Sequence, residues 1–231
     1  MYEGISRYLQ LQQIFAATFP IGSFSHSGGL ETFVQEREVY DALTLGDYMY
    51  GYLQNVLRHF EGPAFCQAYE WGLVRDTSEV LRLDEQITAM KLSRESRQAS
   101  LKTGKAFLRL VGQMPVSESY SRYCEQVQQE TCYGNYCIAA GFLCANWGLD
   151  KRQSVASFLF ASLNNMVQTG VKCIPLGQTQ GQQVLHAMLE EITKTVEQLC
   201  EAAMPQITNF APMSDIASMQ HERLYSRLYM S

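Results

Sequence analysis

The sequence predicts an all-α fold, a single-domain bundle of about eight to ten helices joined by short loops. Three observations carry this expectation. All six prolines, Pro20, Pro63, Pro115, Pro175, Pro205 and Pro212, can be placed at element boundaries, where a residue without an N–H ends a helix or occupies its first turn. Between them the apolar residues recur at three- and four-residue steps, which is the helical period. No stretch alternates apolar and polar residues between hairpin turns, as a half-buried strand would.

Along the chain, the first helix is expected over Ser6–Ala17, with Pro20 beyond its end. Leu30–Arg37 and Leu45–Phe60 follow, and Pro63 separates the latter from Ala64–Val74. Ser78–Leu92 and Glu95–Val111 come next, then, past Pro115, Glu118–Gln129 and Thr131–Trp147. The clearest period follows Asp150, an N-cap residue type: Val155, Phe158, Leu159, Leu163, Met166, Val167 and Val171 share one face. The next helix repeats it with Val184, Leu185, Met188, Leu189, Ile192, Val196 and Leu199. Its start carries a capping box, Thr179 to Gln182, in which each side chain can satisfy the other residue's backbone N–H. A last helix lies near Ser214–Ser226. With no internal repeat or low-complexity tract, residues 1–231 read as one domain, of which 205–231 form a C-terminal interaction tail.

Composition narrows the function. The chain has 231 residues, 46% hydrophobic and 18% charged, with a formal net charge of −5. No basic run or stripe could neutralise a phosphate backbone, so nucleic acid is not an expected partner. The seven cysteines, at 66, 124, 132, 137, 144, 173 and 200, include no CxxC or CxxH pair. That pattern speaks against a disulfide framework or structural zinc and fits a reducing cytosol. The start, MYEGISRYLQLQQIF, has neither a basic leader nor a clean apolar stretch, so no secretion signal is expected and the location reads as cytoplasmic. Thr131–Leu149 and Gln153–Val171 are uncharged, and each approaches the roughly 20 residues of a bilayer span. Asn135, Asn146, Asn164, Asn165 and Gln168 interrupt them, and buried core helices are the better reading.

From Thr131 to Leu189 the only charged residues are Asp150, Lys151, Arg152 and Lys172. Surface helices carry charge on their outer face. Two successive helices without it are either central to the bundle or covered by another protein. Catalytic motifs are missing: LKTGKAF lacks the upstream glycine and terminal Ser or Thr of a phosphate loop, and there is no HExxH or GxSxG. Cys137 and Cys144, seven residues apart, read as packing residues on a helix face rather than as nucleophiles. His26, in the turn PIGSFSHSGGLE, reads as a hydrogen-bonding turn residue before a metal ligand. His221 pairs with Glu222 in the tail, where metal and partner are equally open.

One short stretch, VKCIPLGQTQGQQ, holds no charge between Pro175 and Gln183. Side-chain amides donate and accept hydrogen bonds without the desolvation cost of a buried charge. Such a turn suits a contact with a neighbour, or an internal turn whose glutamines satisfy buried backbone. Both stay open at this stage.

FPIGSFSHSGGLE (Phe19–Glu31), VKCIPLGQTQGQ (Val171–Gln182) and APMSDIASMQHERLYSRLYMS (Ala211–Ser231) resemble the urease accessory protein family UreF. So do SRESRQASLKTGKAFLRL and YGNYCIAAGFLCANWGL, and the likeness runs in order along nearly the whole chain. The resemblance implies an all-α, non-enzymatic protein that forms a homodimer and has no stably bound cofactor. It implies partners: the accessory protein UreD (also called UreH), the GTPase UreG, which binds the GTP, and apo-urease, with nickel in transit through the complex. Membranes are not among them.

The same resemblance assigns a face toward the GTPase to Pro20, Gly22, Phe24, His26 and Glu31, with Lys172, Pro175, Gly177, Gln178, Gly181 and Gln182. Contact with UreD/UreH and docking of the tail fall to His221, Glu222, Leu224, Tyr225, Arg227, Leu228 and Tyr229. Physically, Gly177 and Gly181 allow close backbone approach or unusual dihedrals. Lys172 complements a helix C-terminus or reaches an acidic partner, and the large tail side chains call for a docking surface. Departures limit the carry-over. Family members often have histidines where this chain has Glu130–Tyr133, a bulkier residue at Gly28 and, in some, tyrosine at Phe24. Two other functions compete: a GTPase-activating regulator supplying Arg227 or Arg223 in trans, and a nickel carrier, which the lack of a His/Cys cluster disfavours.

Overall fold

A computed structural model describes residues 2–23, 26–224 and 227–229. Among them there is no strand. The helices are α1 (Tyr2–Phe15), α2 (Leu30–Gln35), α3 (Ala42–Tyr52), a π-helical segment (Leu53–Glu61), α4 (Gly62–Leu73), α5 (Thr77–Met90), α6 (Arg94–Val111) and α7 (Glu118–Gln128). Then come α8 (Tyr136–Asn146), α9 (Lys151–Cys173), α10 (Gln178–Ala187), α11 (Leu189–Glu201) and α12 (Pro212–His221). No described helix is long and apolar enough to cross a membrane.

Local chemistry sets most of the boundaries. Asp41 and Thr44 form a reciprocal capping box on α3, with Thr44 N donating to the Asp41 carboxylate at 2.9 Å and Asp41 N to Thr44 Oγ1 at 3.1 Å. Asp76, Ser93, Ser117 and Asp150 cap α5, α6, α7 and α9, each satisfying a donor that the first turn leaves unpaired.

Pro63 departs from expectation. It does not separate two helices, because α3, the π-helical segment and α4 follow one another without a break. A proline cannot donate to the carbonyl four residues back. Here the His59 carbonyl accepts instead from Thr208 N at 2.8 Å, a residue of the segment between α11 and α12.

The helix expected from Thr131 begins only at Tyr136. The preceding loop is curled around Asp84 of α5, which is fully buried. Its carboxylate accepts from the amides of Tyr133 at 2.9 Å, Gly134 at 2.7 Å and Asn135 at 2.7 Å, and from the Asn135 side chain at 2.9 Å. Those N–H groups are thus taken from a helical ladder, and Gly134, at φ 80°, leaves the helical region altogether. The capping box expected from Thr179 to Gln182 does not form: α10 starts at Gln178, and two residues earlier Gln180 Oε1 accepts from Gly177 N at 3.1 Å, the half of a box that a glycine N-cap allows. The last helix ends at His221, short of Ser226.

The uncharged region divides in two. On α8, Cys137 to Ala145 are all buried. On α9 one face is buried, from Ser154 to Gly170, while Phe160 is exposed on the other. So α8 is a central helix, and α9 is central on one side only. Cys137 and Cys144 lie in the core, and burial pushes the Cys144 thiol up to about 12.

Replacing Asp84 by Ala removes the acceptor of the Tyr133, Gly134 and Asn135 backbone amides, two of them buried, each buried one costing about 1–3 kcal/mol when unpaired. The variant is expected to lose at least about 3 kcal/mol of stability, measured by urea denaturation; a loss under about 1 kcal/mol would show that the loop does not depend on this carboxylate.

Candidate functional site

The loop before α2 is built from buried and exposed residues in alternation. Phe19 and Ile21 enter the core, whereas Pro20 is exposed. Gly22, Gly28 and Gly29 adopt φ of 73°, 61° and 91°, a left-handed backbone that favours glycine. Gly29 opens α2, and the Tyr48 hydroxyl donates to the Gly28 carbonyl at 2.8 Å. Phe24 lies outside the described residues.

Behind this loop is a cavity of about 170 Å³, lined among others by His26, Ser27, Glu61, Lys91 and Asp215, roomy enough for several waters. Burial lowers the His26 pKa to about 4, helped by the charge of Lys102, so the ring is neutral near pH 7. Lys91 is buried, with Nζ 2.6 Å from Glu61 Oε1. Burial, the largest influence, would lower its pKa, but Glu61, Cys137 and Asp215 together hold it above the ordinary lysine value. Burial raises Asp215, against the pull of Lys91. No group of three or more His, Cys, Asp or Glu among the described residues could hold a metal ion.

The tail is organised by two carboxylates. Glu31 on α2 is 3% exposed, and its Oε1 accepts from Leu228 N at 2.7 Å. Its Oε2 meets Tyr229 N at 3.2 Å and His221 Nε2 at 2.9 Å. His221, fully buried, places Nδ1 2.8 Å from Glu95 Oε2 at the start of α6, and Arg227 Nη1 lies 3.3 Å from Glu95 Oε1. A neutral imidazole has a single N–H. To hydrogen-bond both carboxylates the cluster needs a second proton, on the ring or on one of the acids. Nearby, Thr32 Oγ1 donates to the Ala217 carbonyl at 2.8 Å, and Ser93 Oγ to Ser218 Oγ at 2.8 Å. Tyr229 itself is buried, beside Thr169 and Cys173 at the end of α9.

That end of α9 also carries the uncharged turn. Ile174 and Leu176 point inward; Lys172, Pro175, Gly177, Gln178 and Gln182 are exposed. Among the described residues Lys172 has no ion-pair partner within 4.0 Å. A Cβ on Gly181 would stand 2.8 Å from Val171 Cγ2 and 2.9 Å from Val167 Cγ1, so glycine is what lets α10 pack on α9. Gly177 needs no such freedom: its φ is −75°, and a Cβ would meet only Gln180 Oε1 at 3.6 Å.

The structure therefore regroups the expected residues. Glu31, placed by the resemblance on the GTPase-facing set, lies with His221, Leu228 and Tyr229, its carboxylate buried and engaged by them. His221 pairs with Glu31 and Glu95 rather than with the exposed Glu222. Gln178 and Gln182 do not satisfy buried backbone; they face solvent. Leu224 is half-buried, Leu228 is 74% exposed, and Tyr225 lies outside the described residues. Glu95 was not singled out by sequence, since a glutamate in a first helical turn is ordinary.

Comparison with known proteins adds the rest. The UreF family model matches residues 39–189. The urease accessory protein UreF of Actinobacillus pleuropneumoniae serotype 3 (strain JL03) is 33% identical over 214 residues, 93% of this chain and 94% of that one. That of Bacillus sp. (strain TB-90) is 32% identical over 230 residues, 98% and 100% of the two chains. The protein of the same name from Lachnoclostridium phytofermentans is 33% identical over 223 residues, covering 96% and 98%.

Glu31→Gln keeps the shape of the side chain but removes the charge that holds the tail amides. Tryptic cleavage after Arg227 is expected to quicken about tenfold, matching about 1.4 kcal/mol for a lost charge-assisted bond. Unchanged cleavage would mean that Glu31 does not hold the tail.

Proposed function

The chain belongs to the UreF family of urease accessory proteins, and from that premise we propose that it is a non-enzymatic urease maturation factor. In this reading it is a cytoplasmic homodimer that joins the UreD/UreH accessory protein and the GTPase UreG. It couples GTP-dependent nickel delivery to assembly of the dinickel site of apo-urease. Nickel is cargo here, and the nucleotide belongs to the partner.

One observation supports this reading most directly: two surfaces suited to different neighbours meet at the C-terminal end of α9. The first is the polar, uncharged turn beside Lys172, which has no ion-pair partner among the described residues. The second is the clamped tail, whose Tyr229 sits beside Thr169 and Cys173. Around the tail, Phe210, Met213, Ile216, Met219 and Leu228 are exposed by 83%, 61%, 46%, 44% and 74%. Met213, Ile216 and Met219 share one stripe of α12 at three-residue spacing, the layout of a helix face awaiting a partner. A scaffold that relays a signal between two partners needs such adjacency. For the alternative of an arginine supplied in trans, Arg227 is held by Glu95, which leaves the exposed Arg223 as its candidate.

Two measurements test the proposal, both by co-expression with UreD/UreH and UreG followed by size-exclusion chromatography. Lys172→Ala combined with Gln178→Ala and Gln182→Ala alters only exposed side chains, so the melting temperature should shift by no more than about 2 °C. Recovery of UreG in the complex should fall at least about tenfold, equivalent to about 1.4 kcal/mol; full recovery would remove the turn from the interface. A chain ending at Leu224 keeps His221 and its two carboxylates. It should fold yet fail to recruit UreD/UreH, and normal recruitment would exclude residues 225–231 from the contact.

A further inference from the structure

The cavity behind the loop before α2 stands apart from the interaction surfaces and does not depend on the proposed function. One polar group on its wall is left unused. Ser27 is 1% exposed, and its Oγ has no hydrogen-bond partner among the described residues. Its place is nonetheless fixed. The Ser27 carbonyl accepts from Leu30 N at 3.2 Å, and the next carbonyl, of Gly28, accepts from the Tyr48 hydroxyl at 2.8 Å. A Cβ on Gly28 would stand 3.5 Å from Met166 Cε, so the loop packs directly on the opposite wall. A buried hydroxyl without a partner is unfavourable. One that lines a cavity of about 170 Å³ points to a ligand that completes it.

The charges on the wall do not balance either. Among the described lining residues the ionic groups are Glu61, Lys91 and Asp215. Lys91 Nζ is committed to Glu61 at 2.6 Å and lies 5.0 Å from the centre of the Phe60 ring. Arg97 is engaged by the Lys91 carbonyl, to which its Nε and Nη2 donate at 3.2 and 2.6 Å. His26 is neutral near pH 7. Asp215, in the first turn of α12, has no ion-pair partner within 4.0 Å among the described residues. Two carboxylates therefore share the wall with one cation, and Asp215 is the one left over.

We propose that this cavity binds a small protonated primary amine carrying a hydroxyl group, the class of which ethanolamine is the simplest member. Asp215 supplies the charge partner and Ser27 supplies the hydrogen bond. Tyr52, Phe60 and Met166 cover the methylene groups. A ligand of about four to six heavy atoms suits the volume. An ammonium brings three donors, which carboxylate and hydroxyl oxygens accept. An anion is disfavoured, because it would meet the surplus carboxylate while Lys91 is already paired. A divalent metal ion asks for a shell of six or more oxygens or a set of His, Cys and carboxylate ligands. Among the described residues no group of three or more His, Cys, Asp or Glu could hold one. A neutral diol of the same size would leave Asp215 without a countercharge.

The test titrates ethanolamine hydrochloride into the full-length protein near neutral pH by isothermal titration calorimetry, with sodium chloride holding the ionic strength constant. Saturable binding to a single class of site is expected, with a Kd under about 1 mM. Ethylene glycol and sodium acetate match its size but lack the positive charge, and should bind at least about tenfold more weakly. Asp215→Asn should weaken ethanolamine at least about tenfold, and Ser27→Ala about threefold or more. Ser27→Ala should also leave the melting temperature unchanged or raised, because the hydroxyl it removes has no internal partner; a purely structural hydroxyl would lower it. Unchanged ethanolamine affinity in a folded Asp215→Asn protein would place the binding elsewhere and overturn the proposal. A cavity that holds only water gives no saturable heat. That result in the unaltered protein, or ethylene glycol or acetate binding as tightly as ethanolamine, overturns it whether or not the variants fold.

Discussion

Where α8 crosses α4, a Cβ on Gly141 would stand 2.3 Å from the carbonyl oxygen of Phe65. At Gly72, on the opposite helix, it would stand 2.7 Å from Ala145 Cβ. The two backbones are in near contact, and only residues without a Cβ permit it. On the other flank Gly104 of α6 meets the Gly134 carbonyl, at 1.9 Å from where a Cβ would lie. A helix gripped this closely from two sides has no outer face, and any charge on it would be buried without water. The absence of charge on α8 follows from its position, and the remaining helices pack outward from it.

Ionic groups that are buried elsewhere are matched with care. Asp84 is surrounded by backbone amides, Lys91 faces Glu61, and Glu31 and Glu95 share His221. Burying an ion costs several kcal/mol unless partners replace its hydration. Each of these groups therefore fixes a long-range contact that apolar packing alone would leave free to slide. Asp84 sets the loop before α8, and Glu31 with Glu95 sets the end of α12 and the backbone at Leu228 and Tyr229.

The tail arrangement bears on the proposed scaffold role. A segment clamped by a few charge-assisted bonds, with Leu228 left outside, is ordered by the chain while still offering apolar surface. Its proximity to the C-terminal end of α9 brings it near the Lys172 turn. A change at one surface thereby has a short route to the other, through the last turn of a single helix.

Much of this was legible in the sequence. The helical period and the proline positions correctly indicated an all-α fold, the Asp150 cap and the long α9. The charge-poor region marked the central helix, because the exclusion of charge from a core acts residue by residue. What the sequence could not convey was which distant groups would pair. It did not bring Glu31 together with His221, it read His221 beside Glu222, and it did not single out Glu95. Local pattern reports only on burial and on neighbours a turn apart. The meeting of residues 31, 95, 221 and 227 arises from how the helices pack. Hydrogen bonds and ion pairs act over a few ångströms, so only the tertiary structure decides which partners come within that distance.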